Sequence, residues 1–154
     1  MWEPLRRYRA LDAESQRLFR RAALLLPWIR ASLRLRGYNP TFAALQRRSN
    51  DIPASADAIT DPVFNTNRMI HAAARYSLLH YSCLDESLCL WYLLRKQGVS
   101  SQLRIGVRKV NGKFEAHAWV EYNGLAVNQP EESHLHYAAF EREFSEPLST
   151  FRKT

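Results

Sequence analysis

The chain has 154 residues, of which 46% are hydrophobic and 12% aromatic, a composition typical of one globular domain large enough to bury a core. Its five glycines form no phosphate-binding loop, which argues against nucleotide binding. The longest apolar run, residues 22–29, is too short to span a bilayer and lacks a signal-cleavage pattern. Cys83 and Cys89 point to different sides of one predicted helix, which disfavours a disulfide and favours a cytoplasmic location.

The net charge of +7 comes from the N-terminal third. Residues 1–48 contain 11 basic and 3 acidic residues, a net charge of +8, whereas the remainder carries −1. Asp12 is a suitable N-cap for a helix that Gly37 ends and that Pro27 is expected to kink. The apolar residues of this helix recur at helical spacing: Leu18, Ala22, Leu25, Ile29 and Leu33.

The basic face of this helix has three interpretations. Long arginine side chains can simply cover apolar surface, or they can form a docking surface for an acidic protein or peptide. They can also contact nucleic acid or an anionic membrane. No RNA-binding or helix-turn-helix signature accompanies the charge, so a nucleic-acid partner is not predicted.

A short second helix is expected over residues 40–48, opened by Pro40. Two prolines and three aspartates in residues 49–66 predict a loop, more readily a connector than a mobile lid. Asn65 or Thr66 can cap the next helix, which ends just before Cys83 and whose stripe comprises Ile70, Ala73, Ala74, Ser77, Leu78 and Tyr81. We divide the chain into a basic helical segment (1–48), a loop (49–66) and a core (67–154), within one compact domain.

A cysteine opens the following predicted helix. From Cys83 onward, apolar residues recur at spacings of three and four, and Gly98 ends the helix after two basic residues. Unpaired backbone N–H groups and the macrodipole favour a thiolate over a thiol in a first helical turn. Cys83 is therefore a candidate nucleophile, whereas Cys89, in mid-helix, is expected to be a small core residue.

Three antiparallel strands follow the helix. Alternating residues over 103–107, 114–122 and 125–127 are separated by the turn pairs Asn111-Gly112 and Asn123-Gly124. The fold class is thus α+β, a catalytic helix packed on a small antiparallel sheet with N-terminal helices, and His117 lies on the middle strand. The more apolar face of that strand, with Phe114, Ala116, Ala118 and Val120, is opposite to His117. If the catalytic helix covers the His117 side, we expect the basic N-terminal helix to cover the apolar face, in a sheet that is strongly bent or has helices on both sides.

The order of these motifs resembles one enzyme family. Over residues 75–129, the strings CL at 83–84, SL at 87–88, LLR at 93–95, LRIGVR at 103–108 and AHAWVE at 116–121 are similar to the transglutaminase-like leader peptidases of lasso-peptide biosynthesis. The resemblance implies a papain/transglutaminase-like core and a cysteine protease, without a cofactor, that removes the leader from a ribosomally made precursor peptide. It also implies three partners: the precursor (leader) peptide, a leader-recognition protein and a separate lasso cyclase.

The resemblance assigns the nucleophile to Cys83 and the base to His117. The family usually has an Asp about a dozen positions after the His, where this chain has Asn128 and Gln129. Either amide can hold the imidazole in the required tautomer, as Asn does in papain-like proteases. The Cys83 backbone N–H is expected to bind the oxyanion. Further candidates are the second donors Tyr76, Tyr81 and Ser82, and Trp119 as a shield.

Three alternatives stay open. An amide stabilises the imidazolium less than a carboxylate does, so the chain can be a weakly active or non-catalytic peptide-binding adaptor. It can also be an amidase or transglutaminase that acts on another substrate. Zinc is a rival that would draw on Cys83, His117, His71, His80, His134 and His136, but no paired-ligand spacing occurs, and no metal is predicted.

Overall fold

The structure, a computed structural model, describes residues 2–49, 60–128 and 138–139. Its helices are α1 (Glu3–Arg9), α2 (Ala13–Arg36), α3 (Tyr38–Ser49), α4 (Thr60–Tyr76) and α5 (Cys83–Lys96). Its strands are β1 (Gln102–Val110), β2 (Lys113–Tyr122), β3 (Leu125–Ala126) and β4 (Ala138–Ala139). The predicted α+β class is confirmed. Within these ranges, no helix combines the length and the apolar character that crossing a membrane requires.

The capping residues of α2 lie where the sequence predicts them. The carboxylate of Asp12 accepts hydrogen bonds from the backbone N–H of Ser15 at 3.2 Å and from its hydroxyl at 2.6 Å. These bonds lower the pKa of Asp12, because they favour its charged form. Gly37 ends the helix with a φ of +81°, a conformation that glycine adopts without strain. The helix continues past Pro27, which lies inside it.

Helix α4 differs from its prediction at both ends. It begins at Thr60, so the loop predicted over 49–66 was wrong for residues 60–66, while residues 50–59 lie outside the described part. The expected caps are interior residues that make other bonds: Asn65 donates to Ser15 Oγ at 3.0 Å, and the hydroxyl of Thr66 donates to the Pro62 carbonyl at 2.6 Å. The helix ends at Tyr76, so the predicted stripe was also too long, and Leu78 beyond it is fully exposed.

The sheet is antiparallel throughout, in the order β3-β2-β1-β4. The predicted turns are confirmed, with positive φ at Asn111, Gly112, Asn123 and Gly124, as a tight hairpin turn requires. The register of β1 and β2 places Gly106 opposite His117. Strand β4 was not predicted, and its two residues pair with β1 at Gly106 and Val107.

Helix α5 lies between the sheet and the other helices. Its Leu88 belongs to the same buried core as Leu103 and Val120 of the sheet, while α2 and α4 pack against α5. The expectation that the basic N-terminal helix covers the apolar sheet face was therefore wrong. The apolar α5 takes that place, because α2 carries exposed arginines that belong at the surface. At the far end of the hairpin, Phe114 is 76% exposed.

Candidate active site

Cys83 is the first residue of α5 and is half-buried. Ser82 caps the helix: its Oγ accepts from the backbone N–H of Asp85 at 3.2 Å, and the Asp85 carboxylate accepts from the backbone N–H of Ser82 at 2.7 Å. The first intrahelical bond is donated by the N–H of Glu86 to the Ser82 carbonyl at 3.2 Å. The N–H groups of Cys83 and Leu84 therefore have no acceptor within the helix, and they can stabilise a thiolate or an oxyanion.

An arginine of the basic helix α2 supports this cap. Arg30 lies 3.6 Å from the carboxylate of Asp85, which is only 3% exposed. The same guanidinium donates a hydrogen bond to the His80 carbonyl and lies 6.0 Å from the centre of the Tyr81 ring. Arg30 thus holds the segment that leads into Cys83. The Ser-x-x-Asp spacing at 82–85 is a capping-box signal that was overlooked in the sequence.

The second cysteine has a different environment on the same helix. Cys89 is completely buried, and this burial raises the pKa of its thiol far above the usual range. Neither cysteine forms a disulfide. The prediction that Cys89 is a core residue is confirmed, and Cys83 is the more accessible thiol.

His117 belongs to a row of side chains on one face of β2. Its ring stacks on Trp119, with a distance of 6.1 Å between the ring centres and an angle of 22° between their planes. The indole N–H of Trp119 donates to Glu121 at 3.0 Å, and Arg104 of β1 donates to the other oxygen of Glu121 at 3.1 Å. Trp119 is 1% exposed. One side of the His117 ring therefore rests on a buried and hydrogen-bonded surface.

Helix α5 meets β2 at the open edge of that strand. β3 pairs with β2 only at residues 121–122, so earlier backbone groups on that edge need other partners. The Ala118 carbonyl accepts from Ser87 Oγ at 3.0 Å, and the Val120 N–H donates to Asn128 Oδ1 at 2.9 Å. Asn128 Nδ2 donates in turn to Ser87 Oγ at 2.8 Å. We call this group of Ser87, Ala118, Val120 and Asn128 the junction, because it fastens the helix to the strand.

The junction brings the elements that carry Cys83 and His117 to one corner of the fold. Ser87 lies one turn after Cys83 on the same helix face, a rise of about 6 Å. Ala118, which Ser87 contacts, follows His117 directly in β2. Strand alternation turns the His117 side chain to the other face from Ala118. A helix that begins at a strand edge can approach side chains on either face, so this corner is a suitable place for a Cys–His pair.

The structure describes one of the two amide side chains that are candidates for orienting His117, that of Asn128. Both polar atoms of the Asn128 side chain take part in the junction. Asn128 therefore positions β2 relative to α5. No local sequence pattern indicates this role or that of Ser87. Gln129 lies outside the described residues, as do His134 and His136 from the zinc alternative.

The remaining candidates occupy different surroundings. The backbone N–H of Ser82 is used in the capping box, and the indole N–H of Trp119 is used by Glu121. The Tyr81 hydroxyl lies 3.2 Å from the hydroxyl of Ser77, within hydrogen-bond distance. Tyr76 ends α4 and lines a groove between α1, α2 and α4. Among the described residues, no group of three or more His, Cys, Asp or Glu side chains is arranged to hold a metal ion.

A cysteine at the capped start of a helix, joined to a strand that carries a histidine, is the arrangement of a papain-like or transglutaminase-like thiol enzyme. Residues 22–142 match the Transglutaminase-like superfamily, and the chain belongs to that superfamily. The papain/transglutaminase-like core is thereby confirmed. Members of the superfamily are generally cysteine peptidases or transglutaminase-type enzymes. No curated protein and no solved structure gives a significant match to the chain.

Proposed function

We propose that this protein is a cysteine peptidase that cleaves the leader from a lasso-peptide precursor. The observation that carries the proposal is the place of Cys83 at the capped start of α5, which Ser87 fastens to β2 beside His117. The motifs over residues 75–129 support the substrate class, because they resemble leader peptidases. The site is a Cys-His-Asn/Gln arrangement in place of the usual Cys-His-Asp.

The reaction is acyl transfer to Cys83. His117 accepts the thiol proton as Sγ attacks the scissile carbonyl carbon, and the backbone N–H groups of Cys83 and Leu84 stabilise the resulting oxyanion. The C–N bond then breaks, and His117 gives its proton to the leaving amine, which becomes the new N-terminus of the core peptide. Water, activated by His117, hydrolyses the thioester, so the leader departs with a carboxylate and the thiol is restored. Gln129 is the amide that we assign to orienting the His117 ring during these steps, because the Asn128 side chain is bonded within the junction.

The proposed partners follow from this reaction. A leader-recognition protein presents the precursor, and a lasso cyclase joins the freed α-amine to a side-chain carboxylate of the core peptide. These steps take place in the cytoplasm and involve no nucleic acid and no cofactor.

Mass spectrometry of the precursor tests the proposal. The precursor and its recognition protein are incubated with wild type, Cys83→Ala or Cys89→Ala. Wild type and Cys89→Ala should release the leader, whereas Cys83→Ala should slow the release at least about 1,000-fold, because the nucleophile is lost. Equal release by Cys83→Ala, or no release by wild type, would contradict the peptidase.

The amide in place of the usual Asp favours one second candidate, a peptide-binding adaptor of the same fold. An adaptor would retain the precursor on an affinity column and leave its mass unchanged, with wild type and Cys83→Ala alike. A transglutaminase or amidase would instead yield a product whose mass is shifted without the loss of the leader.

A further inference from the structure

An apolar groove of about 810 Å³ lies between α1, α2 and α4. We call it the N-terminal groove. Its apolar lining includes Leu5, Tyr8, Phe19, Leu24, Met69 and Tyr76. None of the residues proposed for bond cleavage lines it; Tyr76, an oxyanion candidate from the sequence, does.

The groove exposes side chains that the core does not use. Leu24 is 78% exposed, Tyr76 is 48% exposed and Leu5 is 45% exposed. α1 contributes no buried residue at all, although it supplies one wall of the groove. Neighbouring exposed apolar side chains of this size are typical of an interaction surface.

The wall that α1 forms is fastened to α2. The rings of Tyr8 and Phe19 contact each other with their centres 5.4 Å apart. The side-chain amide of Gln16 donates to the carbonyls of Tyr8 and Leu11 at 3.3 and 3.1 Å, where α1 ends. These contacts give the groove its shape without a ligand, so binding does not carry the entropy cost of ordering α1.

The rim of the groove is positively charged. Among the residues that the structure describes, Arg7 and Arg20 line it and no acidic residue does. Leu24 also lines a second hollow of about 430 Å³. The charged residues of the described part that line this hollow are all basic: Arg21, Arg48 and Lys96. Arg7 is bonded to the exposed Glu3 at 3.3 Å, whereas Arg20 makes no hydrogen bond or ion pair within the described ranges.

We propose that the N-terminal groove binds an acidic amphipathic helix of a partner protein. The apolar face of that helix would fill the space between Leu5, Leu24 and Tyr76, and its carboxylates would meet Arg7 and Arg20. A second copy of this chain fits poorly, because two rims of the same sign repel each other. Nucleic acid would pair its phosphates with the basic rim but would leave the apolar lining unfilled. The interaction is independent of bond cleavage.

A labelled synthetic peptide provides the test. The probe is a helical peptide of about 18 residues with Leu and Phe at the spacing of one helix face and Glu beside them. Two controls have the same length: one replaces every Glu by Lys, and the other scatters the apolar residues. Fluorescence anisotropy with the full-length Cys83→Ala protein measures binding without cleavage, so a failure here leaves the peptidase proposal untouched.

Two matched pairs of variants locate the binding site. Arg20→Glu and Leu24→Ser should each weaken binding of the acidic probe at least about fivefold, because they reverse a rim charge or remove an apolar contact. Arg34→Glu and Leu35→Ser are the controls, since both residues are exposed on the same helix and neither lines the groove. The controls should bind as the parent protein does. Circular dichroism checks that all four variants are folded.

Several results would overturn the proposal. They are the absence of binding, equal binding of the Lys peptide or the scattered peptide, and equal binding by Arg20→Glu and Arg34→Glu. Dimerisation that Leu24→Ser abolishes would assign the groove to a second copy. Binding to vesicles of anionic phospholipid that Leu24→Ser abolishes, without binding of the acidic probe, would assign it to a membrane surface.

Discussion

The junction between α5 and β2 and the N-terminal groove are built from opposite kinds of contact. At the junction, the buried hydroxyl of Ser87 and the amide of Asn128 are bonded to each other and to the backbone of β2. At the groove, exposed apolar side chains such as Leu24 face solvent beneath a basic rim. Catalysis needs atoms held in fixed positions, whereas recognition gains from apolar surface that a partner can cover. Under the two proposals, cleavage and docking would occupy separate parts of this fold.

The largest expected difference between the two regions is in packing. Leu88 of α5 is completely buried, whereas Leu24 of the groove is 78% exposed. Leu88→Ala should lower the free energy of unfolding by about 3 kcal/mol, because it leaves a cavity in the core. Leu24→Ala should change it by less than about 0.5 kcal/mol. Urea unfolding of both variants measures this, and similar losses would show that the groove wall is part of the core.

The ion pair near the junction should contribute more to folding stability than the ion pair at the groove. Arg30 and Asp85 pair near the junction with side chains 23% and 5% exposed, whereas Arg7 and Glu3 at the groove are 72% and 75% exposed. Arg30→Ala should cost about 2 kcal/mol of folding stability, since it leaves the buried Asp85 without its counter-charge. Arg7→Ala should cost less than about 0.5 kcal/mol. Thermal unfolding measures both variants, and a larger loss of stability for Arg7→Ala than for Arg30→Ala would contradict this prediction.

A pair of serines separates positioning from stability. Ser87 and Ser49 are both buried, and each hydroxyl donates to a backbone carbonyl and accepts from a side-chain nitrogen. Replacing either by Ala should therefore cost about 1 to 2 kcal/mol. Only Ser87→Ala should also lower the rate of leader release, by about tenfold or more, because it frees the start of α5 from β2. Equal rates for the two variants, measured well below their unfolding temperatures, would remove Ser87 from the positioning machinery.

The smallest effect concerns pH. His71 of α4 pairs with Glu86 of α5 at 2.8 Å, and this hydrogen bond raises the pKa of His71 despite partial burial. Because the pKa is higher in the folded state, the pair contributes its full stability below the ordinary histidine value of about 6.5 and loses it as pH rises through the folded value. As the pH rises above about 6.5, the unfolding temperature of His71→Gln should therefore fall less than that of the wild type. The same decline in His71→Gln as in the wild type would contradict a stabilising role for the pair.

Much of the fold was predictable because its signals are local. Asp12 caps α2 and Gly37 ends it, through chemistry that depends on neighbouring residues alone. The apolar spacing from Cys83 and the stop at Gly98, whose φ is positive, located α5 from equally local signals, although its N-cap, Ser82, was not predicted. The two Asn-Gly turns set the hairpin register in the same way. By contrast, Asn65 and Thr66 look like caps in the sequence but bond within α4 or to α2, so the start of α4 was misplaced.

For the candidate site, the sequence predicts the residue types but not how the helix and the strand that carry them meet. Cys83 and His117 are indicated by their residue types and by the resemblance, and no local pattern shows which edge of β2 the helix meets. That depends on Ser87 reaching Ala118 and Asn128, which lie 31 and 41 positions further along the chain. The pairing of β4 with β1 is likewise non-local and rests on two residues.

The proposed cleavage depends on activation of Cys83 by His117, and alkylation of the two thiols measures that activation. Iodoacetamide labelling of wild type and His117→Ala between about pH 5 and pH 9, read at each cysteine by mass spectrometry, gives both rates in one sample. We expect Cys83 to react rapidly already near pH 6, Cys89 to stay unlabelled, and His117→Ala to slow Cys83 at least about tenfold at that pH. Equally slow labelling of both cysteines, or a Cys83 rate that His117→Ala leaves unchanged, would contradict the claim.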